Sequence, residues 1–267
     1  MNFYRWLIFL VISFLHIECK DKNGLTIAVP DSEVSDSVFV SIYHERTGNV
    51  IFTDTGINKT LFINIKKLPS DIYTLKIGWP KRLIPPNELR KYNRSSYKNE
   101  VPIVAFQKFF YLDSLNRELY FKFNKSVSID DLEENNESYY LTVSSNSSAT
   151  NLYEKFEDDF LGLQIKFQMD KDSIMQKIGE YNDKNESLSA REATYLLNHT
   201  MQQKYFNEAQ FLKHNFIKGN PSAIASAYLL RGMIFDKNSY QKNISLVNVL
   251  KGSALSSGYY EEISIWK

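Results

Sequence analysis

Cysteine is almost missing from this chain: among 267 residues there is one, Cys19. A lone thiol makes neither an internal disulfide nor a Cys-x-x-Cys pair, so dithiol redox chemistry within one chain is excluded. Whatever Cys19 does must come from its position. An excess of one charge is missing too. Lys and Arg number 32 against 31 Asp and Glu. That leaves no basic surplus for neutralising phosphates, so nucleic acid is not expected as a partner. The apolar N-terminal run, Trp6 to about Leu15, falls short of the ~20 residues of a membrane-spanning helix. There is no Gly-x-Ser-x-Gly elbow and no phosphate-cradling glycine loop, so hydrolase and nucleotide chemistry have no anchor. The four histidines, His16, His44, His199 and His214, stand far apart without ligand spacing, and a metal site needs three or four convergent ligands. No catalytic residue, cofactor or metal is expected.

What is present begins at the N-terminus. Arg5 precedes the apolar run, and a short polar break follows it. A charged start, an apolar centre and a processing site are the layout of an export signal, here residues 1–18. A buried soluble helix is the alternative, but the stretch has no polar face. Cys19 follows at once and leads into Lys20-Asp21-Lys22-Asn23, so residues 19–24 read as a tether. The site resembles a bacterial lipobox, in which the cysteine is lipidated. Glu18 and His16 depart from the small or aliphatic residues of that pattern. The competing reading makes Cys19 an ordinary filler at the end of a signal, although no A-x-A-like site lies nearby. Lipidation at Cys19 implies an exported protein, held to the inner or outer membrane and facing the periplasm or the cell surface.

Two periodicities divide the rest. From residue 25 to 143 the segments are short, β-branched and aromatic, and bounded by turn formers, as in Val38–Tyr43, Leu61–Ile65 and Ile72–Ile77. Thr47-Gly48-Asn49 marks a hairpin between Val38–His44 and Val50–Asp54. Leu119–Phe123 and Tyr139–Val143 complete the strand-like pattern. The 17 Tyr and 18 Phe suit a sheet face, where aromatic cross-strand pairs stabilise. Residues 79–102 hold several prolines and read as a surface loop. Trp79, Tyr92 and Tyr97 on that loop are candidates for a ligand-stacking platform; the alternative folds them back on the sheet.

From residue 144 to 267 the period is helical. Leu152, Phe156, Phe160, Leu163 and Phe167 recur at three or four residues, with Thr150 as the expected N-cap. Ser189 and Glu192 form a capping-box pattern for a second helix that ends at Gly219. Pro221 reads as the first helical position of a third helix, Ala223–Phe235. One or two more cover Tyr240–Ile265. The expected fold class is therefore α+β: an N-terminal antiparallel β-sandwich or open barrel, then a helical domain. Glu154, Glu157, Asp158 and Asp159 fall in the first turns of a helix and read as a solvated, dipole-compensating face; a carboxylate pair for acid–base work is the alternative. Asp130-Asp131-Leu132-Glu133-Glu134 is too irregular for an EF-hand loop.

The order of these segments resembles that of DUF4369-containing Bacteroidetes lipoproteins, namely the non-catalytic N-terminal region of thioredoxin-like (AhpC/TSA) thiol-disulfide oxidoreductases. Val38–Tyr43, Gly48–Asp54 and Leu61–Ile65 leading to Ile72–Ile77 follow that strand order. Tyr111-Leu112-Asp113 stands near the end of the β-rich part. Phe216-Ile217-Lys218-Gly219-Asn220-Pro221-Ser222, running into Ala225–Leu230, resembles the family's asparagine-proline-serine segment. The resemblance implies a lipidated cysteine, a β-rich domain and a helical segment, followed by a thioredoxin domain. This sequence holds no second cysteine for such a domain's reaction. The expectation is a non-enzymatic binding or docking module with a membrane partner through its lipid, and with an envelope thioredoxin-like protein or an envelope ligand as further partner. The alternative is an accessory fragment of an oxidoreductase whose thioredoxin domain is lost or on a separate chain. A structural envelope protein without a discrete ligand is a third reading.

Overall fold

The computed structural model describes residues 24–27, 37–57, 61–64, 68–80, 103–115, 118–125 and 139–267. Eight strands come first: β1 (Gly24–Ile27), β2 (Ser37–His44), β3 (Val50–Ile57), β4 (Leu61–Asn64), β5 (Asp71–Pro80), β6 (Ile103–Leu112), β7 (Leu119–Phe123) and β8 (Leu141–Ser145). They form two four-stranded sheets, ordered β4-β1-β7-β8 and β3-β2-β5-β6. The second sheet is antiparallel throughout. The first carries one parallel pair, β1 with β7.

Alternation decides which side chains meet. Leu119, Phe121 and Phe123 of β7 are buried while Tyr120 and Lys122 face out, the period-2 signature of a half-wet strand. These residues join Leu25 and Ile27 of β1 against Val40, Ile42, Leu75 and Ile77 of the other sheet. Edge-on ring pairs cross between the sheets, Phe110 with Phe121 at 5.0 Å and Phe106 with Phe123 at 4.9 Å between centroids, each pair adding ~0.5–1.5 kcal/mol beyond its area. The result is a β-sandwich. Gly48 turns the β2–β3 hairpin at φ +69°, a left-handed conformation that favours glycine.

β3 runs on to Ile57, β8 lies two residues later than Tyr139–Val143, and β5 and β6 depart further from the sequence expectation. β5 runs to Pro80 and pairs with β6, with Trp79 opposite Val104. Trp79 therefore sits on a strand and not on a surface loop, because the β6 edge supplies partners for its backbone. β6 itself was not singled out by the pattern, since Gln107 and Lys108 interrupt its apolar run.

A 36-residue helix, α1 (Ser148–Asp183), leaves β8 directly. Its N-cap is Ser147, whose Oγ accepts the Thr150 N–H at 3.2 Å. Thr150 is no cap: it is buried inside the first turn and donates its hydroxyl to the Tyr111 carbonyl at 3.0 Å. After a turn closed by Asn185 at φ 57° come α2 (Ser187–Tyr195), a π-helical turn (Leu196–Met201) and α3 (Gln202–Gly219). Ser189 lies within α2, whose N-cap is Glu186 without a side-chain bond; the capping-box pattern there is not used. Phe156 packs on Phe216 and Phe167 on Tyr205, so α3 runs back antiparallel to α1. Their far ends form an arm that leaves Met169, Phe206 and Phe211 exposed.

Past the arm the helices are short: α4 (Ile224–Arg231), α5 (Lys237–Lys242), α6 (Ile244–Val247), α7 (Gly252–Leu255) and α8 (Gly258–Ser264). Pro221 stands in the turn before α4, where Asn220 accepts from the Ala223 N–H and the Ser226 hydroxyl; it is not a first helical residue. The real capping box is Asp236 with Ser239. Four pieces replace the one or two expected over Tyr240–Ile265, and side-chain caps at Asp236 and Ser257 start two of them. This cluster packs Tyr153, Phe216, Leu230 and Tyr259 against Ile72 and Tyr111 on the second sheet's other face. No helix among the described residues is long and apolar enough to cross a membrane.

The Ser147 hydroxyl also donates to Asp113 Oδ2 at 2.8 Å, so it joins helix start to strand end. Ser147→Ala is expected to lower stability by about 1–2 kcal/mol, read as an earlier urea midpoint, whereas exposed Ser148→Ala stays near zero.

Candidate functional site

Charge collects where α1 crosses from β8 toward β6. By alternation Lys108 shares a face of β6 with Phe106, Phe110 and Leu112, all in the sandwich core. Its ammonium meets Glu154 Oε2 at 2.8 Å, with the two side chains only 10% and 7% exposed. A buried pair holds only when the attraction offsets the loss of water. Here desolvation wins on the acid: burial outweighs the Lys108 charge and hydrogen bond and pushes the Glu154 carboxyl up to about 7. Its second oxygen, Oε1, is buried without a hydrogen-bond partner.

One turn along α1, Glu157 is raised by burial, against the pull of Tyr153, Lys108 and Lys213. Tyr153 is buried with its hydroxyl beside Glu157, yet that hydroxyl closes no hydrogen bond of full geometry. Lys213 of α3 reaches across from the other side. Its ammonium lies 5.5 Å from the centre of the Phe160 ring, and burial lowers its pKa from the ordinary value. These groups border a partly open cavity of about 330 Å³, with Lys108, Glu157 and Lys213 as its charged lining. Phe109, Phe156, Phe160 and Tyr140 supply apolar wall.

A second polar cluster lies on β2 and β5. His44 Nε2 is 3.0 Å from Asp71 Oδ2. The Thr47 N–H donates to His44 Nδ1 at 3.3 Å, so Nε2 carries the proton toward Asp71. Thr74 donates to Glu45 at 2.6 Å. Tyr259 of α8 is raised by burial and by the neighbouring Asp71 charge, and the Arg46 guanidinium lies where a side chain at residue 258 would project. These contacts fasten the helices to the hairpin.

No family model, curated protein or solved structure matches this chain. The site must therefore be read from its own residues. Among the described residues no group of three His, Cys, Asp or Glu is placed to hold a metal ion. His44 pairs with Asp71, His199 packs on the Tyr195 ring at 4.5 Å, and His214 stands on α3 with its pKa lowered by burial. Cys19, Tyr92 and Tyr97 lie outside the described residues, as does the side chain of Trp79.

The solvated-face reading of the acidic run is corrected for half of its members. Asp158 and Asp159 are exposed, but Glu154 is buried and Glu157 half-buried. The signal was in the helical wheel. At about 100° per residue, Glu157 falls within the sector spanned by Thr150, Tyr153, Phe156 and Phe160, Glu154 falls about 40° beyond its Thr150 edge, and Asp158 and Asp159 fall about 60–80° outside it on either side. For Lys108 the signal was its place in an alternating aromatic strand.

Removing one partner of the buried pair strands the other. Lys108→Met is expected to cost about 3–5 kcal/mol near pH 8, and adding Glu154→Leu should recover most of it in urea unfolding. The pair also makes stability depend on pH. The folded Glu154 value of about 7 stands above the ordinary 4.5, so the folded chain keeps a proton that the unfolded chain releases. That contribution is full below pH 4.5 and is lost as pH rises through about 7. Relative to Glu154→Gln, the wild type should lose stability over this window, on the order of 3 kcal/mol at most. A difference that stays flat between about pH 5 and pH 8 contradicts the assignment.

Proposed function

We propose that this chain is an exported, lipid-anchored protein of the cell envelope that acts as a non-enzymatic binding module. The observation that carries the binding half is the cavity between sandwich and helices. Its volume of about 330 Å³ falls in the range of small-molecule sites, and an apolar wall with a few convergent polar groups is their usual make-up. Its charged members are held by two layers at once, Lys108 from the sheet and Glu157 and Lys213 from the helices. Such anchoring from rigid elements gives a preorganised lining at low conformational cost. The anchoring half rests on the export-signal layout of residues 1–18, on Cys19 with its charged flank, and on a segment order that resembles that of DUF4369 lipoproteins.

Each half has its own test. Metabolic palmitate labelling should mark the membrane fraction of cells carrying the wild type and not those carrying Cys19→Ala. Equal labelling, or none, removes the anchor. For binding, ligand-observed NMR of the full chain with a mixed set of anionic, neutral and cationic fragments should find binders. Gln164→Trp, an exposed position on the cavity lining, should block them. A set that contains no binder sensitive to Gln164→Trp refutes the cavity as a binding site.

A further inference from the structure

The cavity's two cations come from different layers, and each is held in place by a distinct contact. Lys108 is fixed by Glu154 at 2.8 Å. Lys213 lies over the Phe160 ring and is exposed to the charge of Glu157. The Lys213 position matters for ligand sign. A ring face that already carries an ammonium is taken, so a ligand cation would have to displace Lys213 while facing the repulsion of Lys108. An anion meets two ammonium groups supplied by different layers, and its body can lie on the remaining wall of Phe109, Tyr140 and Phe156. We propose that the cavity takes a small organic anion, a carboxylate on an apolar or aromatic body, with Lys213 as the residue that contacts the carboxylate and Lys108 as the second positive charge. This rests on the reading above that the cavity binds a ligand.

The acids decide how the charge is balanced. Glu157 faces Tyr153 and Asp158 on its own helix, Lys108 on β6, Lys213 on α3 and Tyr228 on α4. Glu154 faces Lys108, Glu157 and Asp158. Burial raises both carboxyls, Glu154 to about 7. A bound carboxylate adds negative charge beside them and raises them further. Anion binding therefore takes up protons, and affinity rises as pH falls from about 8 to about 6. A cationic ligand would release protons and show the opposite slope.

The test uses the full chain and three matched probes: 3-phenylpropionate, 3-phenylpropionamide and 3-phenylpropylammonium. Calorimetric titration should rank the carboxylate above the amide by about tenfold or more, as a charge-assisted hydrogen bond requires, with the ammonium weakest. Titrations in buffers of different ionisation heat should show net proton uptake for the carboxylate. Lys213→Gln should remove the tenfold preference, and a cooperative urea-unfolding transition measured on the same sample shows that the variant is folded. Equal affinity of carboxylate and amide, tighter binding of the ammonium, proton release, or no binding of any probe overturns the proposal. Binding of the amide or ammonium at least as tight as that of the carboxylate, and abolished by Gln164→Trp, overturns the ligand class and leaves the cavity's binding role standing.

Discussion

The buried pair of Lys108 and Glu154 is the contact on which the junction of the two halves turns. It joins the β6 edge of the second sheet to the first turns of α1 at a place neither half closes alone. Around it the Thr150 hydroxyl ties to the Tyr111 carbonyl and the Ser147 hydroxyl to Asp113. These bonds set the angle at which α1 leaves the sandwich, and hence where Glu157, Phe160 and, through α3, Lys213 stand. An apolar pair at the same two positions would be cheaper to bury. A paired charge brings directional constraint, because misplacement by an ångström leaves two ions without water or partner.

The second sheet is covered by the first sheet on one face and, around Ile72 and Tyr111, by the helices on the other, where Phe39, Lys76 and Gln107 stay exposed. That arrangement explains β5. Ile72, Tyr73, Thr74 and Leu75 are all buried, so successive residues serve opposite cores. The helical cover is not uniform. Near the sheet it is dense and built from small helices with Ala225, Ala227 and Ala254 at close approaches. Along the arm it thins to two layers, with a π-helical turn at Leu196–Met201 and few buried side chains beyond Leu197 and Ala209. The cavity lies at the boundary of these regimes, where α1 and α3 leave the sheet and can no longer pack against it completely.

Much of the fold was legible because it rests on local rules. The period-2 segments, the Gly48 turn and the apolar spacing from Phe156 to Phe167 announce strands, a hairpin and a helix without reference to anything distant. Caps were less legible. Thr150, Ser189 and Pro221 each carry the right chemistry, but helix starts were set elsewhere: by β8 running straight into α1, by the Asn185 turn and by the Asn220 turn. For Thr150 a tertiary contact claimed the side chain, whose hydroxyl goes to the Tyr111 carbonyl.

The site was the least legible part. Glu154, Glu157 and Lys213 look like ordinary surface charges in a chain that has many, and Lys108 like an interruption of a strand. The sequence by itself determined the α+β class, the succession of strand-like and then helical segments, and the helical sector that Glu157 shares with aromatic residues and that Glu154 borders. Only the tertiary structure decided that this sector faces β6, that Lys108 lies opposite, and that a cavity remains between them. The physical reason is that burial of a charge is a property of two surfaces meeting, and no spacing within one element reports what stands across from it.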